Sequence, residues 1–136
     1  MTVELRTPPG MLRPVPYHHV AIGVGSRHVH VAGQVGRDAD GAPVAVDDLT
    51  GQVAQALRNV ARGLAGAGAG FGDVVRLRFL VVGWQPERYG DLVAGIERVA
   101  EELDIPQPWP PVTLVGVESL FEPDVLVEIE AAAVLD

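Results

Sequence analysis

The end of the chain constrains the fold most. From Val125 to Val134 the side chains alternate, with Val127, Ile129 and Ala131 on one parity and Glu128 and Glu130 on the other. Residues two apart in a strand point the same way. This segment therefore reads as a strand with one buried face and one face bearing two carboxylates. Those carboxylates line either a wet surface or a polar cleft. Just upstream, a proline-rich loop feeds a second strand, Pro110-Pro111-Val112-Thr113-Leu114-Val115-Gly116-Val117.

Earlier segments supply what such strands must pack against. Residues 17–24 and 28–34 alternate about Gly25-Ser26-Arg27, which predicts a β-hairpin. Pairing Val20 with Val31 and Ile22 with Val29 puts the valines and isoleucine on the core face. The other face then carries Tyr17, His19, Ala21, His28, His30, Ala32 and Gln34, a set too rich in histidine for a plain solvated surface. Asp47 or Asp48 caps a helix running to about Ala67, with the stripe Leu49, Val53, Ala56, Leu57, Val60, Ala61 and Leu64. Ala65 to Gly72 reads as a linker; no Gly-Lys-Ser/Thr follows to make it a phosphate cradle. Residues 73–82 form a strand, and Pro86 opens a second helix reaching Leu103. With strands 112–118 and 125–135 the order is ββαβαββ. This is an α+β fold with two helices over one face of a mixed sheet. Residues 1–136 are expected to form one domain, with 1–15 as an extended N-terminal segment.

Composition removes several chemistries. No cysteine is present, so thiolate nucleophiles and Cys-ligated zinc are excluded. All ten basic residues are arginines, which excludes lysine Schiff bases. The two serines, Ser26 and Ser119, lie in no Gly-x-Ser-x-Gly elbow. A net charge of −8 argues against nucleic acid as a partner, and no apolar run is long enough for a membrane. A soluble cytoplasmic protein without cofactor or metal is the expectation. His19, His28 and His30 have no recognised metal-ligand spacing, and an interface or surface role is preferred for them.

Three positions carry open readings. Gly33 is either a bulge or turn glycine or a point of close backbone approach to a ligand. Trp109, set among prolines, is a rim aromatic or a core plug, the plug being preferred. Glu128 is a general base or water-orienting group, or part of a solvated strand face. Val112 and Thr113 begin a strand directly after the proline loop.

Pro16-Tyr17, Ala32-Gly33-Gln34, Gln55-Ala56-Leu57-Arg58-Asn59-Val60, Gly72-Asp73-Val74-Val75, Val115-Gly116-Val117 and Val127-Glu128-Ile129-Glu130-Ala131 follow one another in order. Together these short segments are similar to the Rid (YjgF-type) family of enamine/imine deaminases. The resemblance implies a chorismate-mutase-like homotrimer with small-molecule clefts between subunits. It implies that Glu128 matches a glutamate that positions water to attack a C=N carbon, and that Tyr17 matches a cleft tyrosine. Gly33 and the Thr113 region would offer backbone donors, and Ala32 replaces the family's usual small hydroxyl residue. In deaminating members an arginine in a Pro-Ala-Arg segment clamps the substrate carboxylate. Here Val112 falls at that place, and valine cannot supply a bidentate cationic contact. Arg6 and Arg13 are the alternative cations considered for that place. The resemblance therefore implies a branch without the clamping arginine, with 2-aminoacrylate-type activity reduced and a less anionic ligand favoured beside Val112 and Trp109. The expected function is hydrolysis of an imine, enamine or related metabolite. The alternatives are a non-catalytic ligand-binding trimer acting as sensor or chaperone, and, least favoured, an endoribonuclease.

Overall fold

Asp48 opens the longer helix. Its carboxylate accepts the Gly51 N–H at 3.1 Å, which satisfies one of the unpaired donors of the first turn. Helix α1 (Leu49–Gly66) then presents Val53, Ala56, Leu57, Val60 and Leu64 as a fully buried stripe. Helix α2 (Tyr89–Ala100) follows a 3₁₀ turn over Pro86–Arg88 and buries Leu92, Ile96 and Val99. The helices meet where Gly95 faces α1, since a β-carbon there would lie 2.7 Å from the Thr50 carbonyl oxygen.

The computed structural model describes residues 2–136. Its strands are β1 (Val3–Arg6), β2 (Val20–Gly23), β3 (Arg27–Gln34), β4 (Val74–Val82), β5 (Val112–Val117) and β6 (Val127–Leu135). The main sheet has the order β3-β6-β4-β5; β4 and β5 are parallel and the other pairs antiparallel. On one face Leu77, Phe79 and Val81 of β4 and Val127, Ile129 and Ala131 of β6 pack with both helices. This is the α+β arrangement expected from the alternation, a mixed sheet carrying two helices. Each fully buried aliphatic or aromatic side chain contributes roughly 1.5–3 kcal/mol. No helix is long and apolar enough to cross a membrane among the described residues.

Two expectations fail at the N-terminal side. Residues 17–34 do not form a hairpin. β2 pairs with β1 instead, Val20 opposite Arg6 and Ile22 opposite Glu4, while β3 pairs with β6, Val31 opposite Ala131 and Val29 opposite Ala133. The cause lies in the glycines of the connection. Gly25 presses against the Leu135 carbonyl, and Gly23 against Val134 and Val75. The chain thus crosses the end of β6 rather than turning back on itself. Val3 is buried and the Val24 N–H donates to the Thr2 carbonyl at 2.7 Å, so the N-terminal segment supplies a strand that the sequence order omitted. Ile22 and Val24 are consequently exposed, not core. In β4 a ladder shift between Val74 and Arg76 places Val74, rather than Val75, in the core.

Candidate functional site

The face of the sheet turned away from the helices holds the polar side chains. In register, Thr113 of β5 lies beside Arg78 of β4, and Arg78 beside Glu130 of β6. One row along, Val115, Leu80 and Glu128 are neighbours in the same way. Arg76, Ala132 and His30 make the row on the other side. Strand parity therefore places Glu128 and Glu130 on one face, as the alternation requires.

The two glutamates have different surroundings. Glu130 accepts the Arg78 Nε–H at 2.6 Å, with both side chains about 40% exposed (42% and 37%). It is one half of an ion pair. Glu128 has no charged partner among the described residues and sits against the backbone of β3. A β-carbon at position 33 would lie 2.5 Å from its Cδ and 2.6 Å from its Cγ. The β3–β6 ladder shifts register between Val31 and Gln34, so Gly33 lies in a bulge. Gly33 is therefore a bulge glycine, and the group that approaches its backbone closely is the Glu128 side chain.

The remaining sequence candidates form a second group. Trp109 is buried, which makes it the plug. Its backbone tethers the N-terminal segment, its N–H donating to the Pro16 carbonyl at 2.8 Å and its carbonyl accepting from His18 at 2.7 Å. Tyr17 is half-buried against the core and meets His19 edge-on at 5.2 Å. Val112, also half-buried, begins β5 beside Leu77 and packs on the core, whereas Thr113 is exposed on the open face. A cavity of about 430 Å³ beside Tyr17 is lined by Arg6, Arg13 and Pro108 among others. Arg13 there donates to the Thr7 carbonyl at 2.6 Å and Arg6 pairs with Glu4. That cavity includes neither Gly33 nor Glu128. A separate hollow of about 530 Å³ on the open face is lined by His30, Ala32, Arg76, Arg78 and Glu130. Within one chain the expected site residues therefore fall in two places.

The histidines are divided as well. His19 belongs with the N-terminal segment, its Nε2 2.8 Å from the Leu12 carbonyl oxygen, while His28 and His30 are exposed on β3. The single histidine-bearing face drawn from the hairpin is not formed, because β2 and β3 are not partners.

Residues that sequence reasoning missed brace the ends of β3 and β6. Arg37 donates two hydrogen bonds of 2.8 Å to Asp124 and also reaches Glu122 at 3.2 Å. This guanidinium holds the Asp124 carboxyl below its usual range. Asn59 donates to the carbonyls of Val35 and Arg37, and buried Gln52 bridges the Asp124 carbonyl and the Leu126 N–H. Together they fix the exit of β3 to the entry of β6, the two strands that bring Gly33 over Glu128. The available signal was polar residues set beside the apolar stripe of α1, at Gln52 and Asn59.

Relatives share the fold. The family model for endoribonuclease L-PSP matches residues 11–135. The chain belongs to the Rid (YjgF, L-PSP) family. The Rid-family protein YyfB of Yersinia pestis, of unknown function, is 36% identical, with 99% of this chain and 100% of that one covered and a TM-score of 0.88. The Escherichia coli YjgF product is 27% identical over 82% of this chain and 83% of its own, with a TM-score of 0.69. TdcF of E. coli, solved with bound serine, shares the fold at 24% identity and a TM-score of 0.69, over 100% and 99% of the two chains. No curated protein matches the chain significantly. Rid membership accounts for the order of elements.

Proposed function

We propose that this Rid protein hydrolyses an imine, enamine or related small metabolite in a cleft completed by a second copy of the chain within a homotrimer. The observation that carries the reading is Glu128, a carboxylate on the open sheet face seated beneath a glycine that leaves room for it. Such a group can take a proton from water as the oxygen bonds to the C=N carbon. The π electrons pass to nitrogen, which takes that proton from the carboxylic acid. The carboxylate then takes the hydroxyl proton of the carbinolamine as the C=O bond forms and the C–N bond breaks, and passes it to the leaving nitrogen, giving a carbonyl compound and ammonia. Tyr17 would hydrogen-bond the substrate, and the backbone at Gly33 and Thr113 would offer donors.

Two facts support an assembly. The Tyr17 cavity and Glu128 are separate within one chain, and Ile22, Val24 and Val115 are exposed apolar side chains that a neighbour would cover. Val112 sets this protein apart from arginine-bearing members and favours a second reading, a trimer that binds ligand without turnover. Ammonia release from a panel of imines by wild-type protein and Glu128→Gln separates the two. Turnover lost in Glu128→Gln, with light scattering unchanged at three times 14.4 kDa, is the expected result. Saturable binding without turnover would favour the second reading. A 14.4 kDa monomer at micromolar concentration would overturn both.

A further inference from the structure

The hollow on the open face has a cationic wall in a protein of net charge −8. Arg76 and Arg78 stand two apart on β4 and so point the same way. Arg76 is exposed and has no side-chain partner among the described residues. Arg78 is tied to Glu130 through Nε alone, so among the described residues both terminal nitrogens of its guanidinium are without a partner. A guanidinium whose Nε is anchored has a fixed plane, and its terminal edge is the one that matches a carboxylate with two parallel hydrogen bonds. His30 and Ala32 form the opposite wall.

Position matters as much as charge. In the ladder Arg78 is flanked by Thr113 on one side and by Glu130 on the other, and Glu128 is its diagonal neighbour on β6. Diagonal neighbours on one sheet face are within reach of long side chains. Arg78 thus lies between the strand that begins with Val112 and the carboxylate assigned to water activation.

We infer that this hollow is a carboxylate-binding subsite and that Arg78 holds the ligand's carboxylate, in place of the cation absent at Val112. The inference rests on the proposed role of Glu128 and narrows it to carboxylate-bearing ligands. The charge reaches the ligand from the open face rather than from the start of β5, so the ligand is held in a different pose.

Calorimetric titration of the full chain with pyruvate, and with pyruvamide as its neutral counterpart, tests this. Pyruvate is expected to bind saturably and pyruvamide about ten- to hundredfold more weakly, the range for a hydrogen-bonded charge contact. Arg78→Met should weaken pyruvate by a similar factor and leave pyruvamide unchanged, with Arg78→Lys between. The double variant Arg78→Met/Glu130→Gln removes the ion pair without leaving a lone carboxylate, and should behave as Arg78→Met does. Glu128→Gln should still bind pyruvate. Equal binding of the two probes, no pyruvate binding, or an undiminished double variant would overturn the subsite. So would Arg78 variants that all lose the assembly, Arg78→Lys included, since the arginine would then serve the interface. If Arg78 governs pyruvate binding while Glu128→Gln still turns over imines, the subsite stands and the catalytic reading fails. If Glu128→Gln abolishes turnover and Arg78→Met changes nothing, the reverse holds.

Discussion

The two faces of strand β6 do opposite jobs with alternate residues of one segment. Val127, Ile129 and Ala131 are sealed under the helices, while Glu128 and Glu130 are half-buried on the open side, one beneath Gly33 and the other paired with Arg78. The first set packs and has no chemistry; the second carries the reactive groups. Stability and activity should therefore respond to neighbouring positions in separable ways.

The largest separation is expected at Glu128. Glu128→Gln should lower imine turnover by about 10²–10⁴-fold, the usual worth of a positioned acid–base group, while the melting temperature stays close to wild type. Steady-state ammonia release and a thermal scan of the same sample check this. A large fall in melting temperature would break the contrast between the faces.

One residue along, Ile129→Ala should do the reverse. It removes a fully buried side chain and should cost about 2–5 kcal/mol in urea unfolding at fixed protomer concentration. The folded fraction should keep its turnover number. If Ile129→Ala lost activity without losing stability, the core face would be supporting the site directly.

A smaller gain is expected from Val112→Arg. Supplying a cation at the start of β5 should raise 2-aminoacrylate turnover about tenfold or more over a weak wild-type rate. Wild-type turnover already equal to that of arginine-bearing relatives would mean that the charge arrives by another route, as inferred for Arg78.

The smallest effect concerns the brace between the faces. Hydrogen bonding to Arg37 lowers the Asp124 carboxyl, so this pair stabilises the fold above the ordinary carboxylate value of about 3.9. That stabilisation is lost as pH falls through the lowered folded-state value. Asp124→Asn should melt below wild type at pH 7, and the gap should close as pH falls through the lowered folded-state value. A gap independent of pH would assign the loss to packing.

Much of this was legible in the residues. The α1 stripe, a cap at Asp47 or Asp48 and the parity of Glu128 and Glu130 follow from spacing, because local geometry alone decides them. The partner of β2 was not legible. Alternation shows that Val20–Gly23 is a strand but not which edge it joins, and Gly23 and Gly25 matter only through contacts with Val75, Val134 and Leu135 far along the chain. At the site, Glu128 and Gly33 could each be nominated, but their contact depends on the β3–β6 register and its bulge. The Arg78–Glu130 pair is hidden for the same reason, since its members lie 52 residues apart.

The fit of Gly33 over Glu128 also constrains how this protein can change by descent. Any side chain at 33 displaces the carboxylate, and any shorter residue at 128 removes the need for glycine. Drift at either position alone meets a barrier that paired change avoids. The two sites should thus be inherited as a unit: a double-mutant cycle of Gly33→Ala with Glu128→Asp would return less than the sum of its parts.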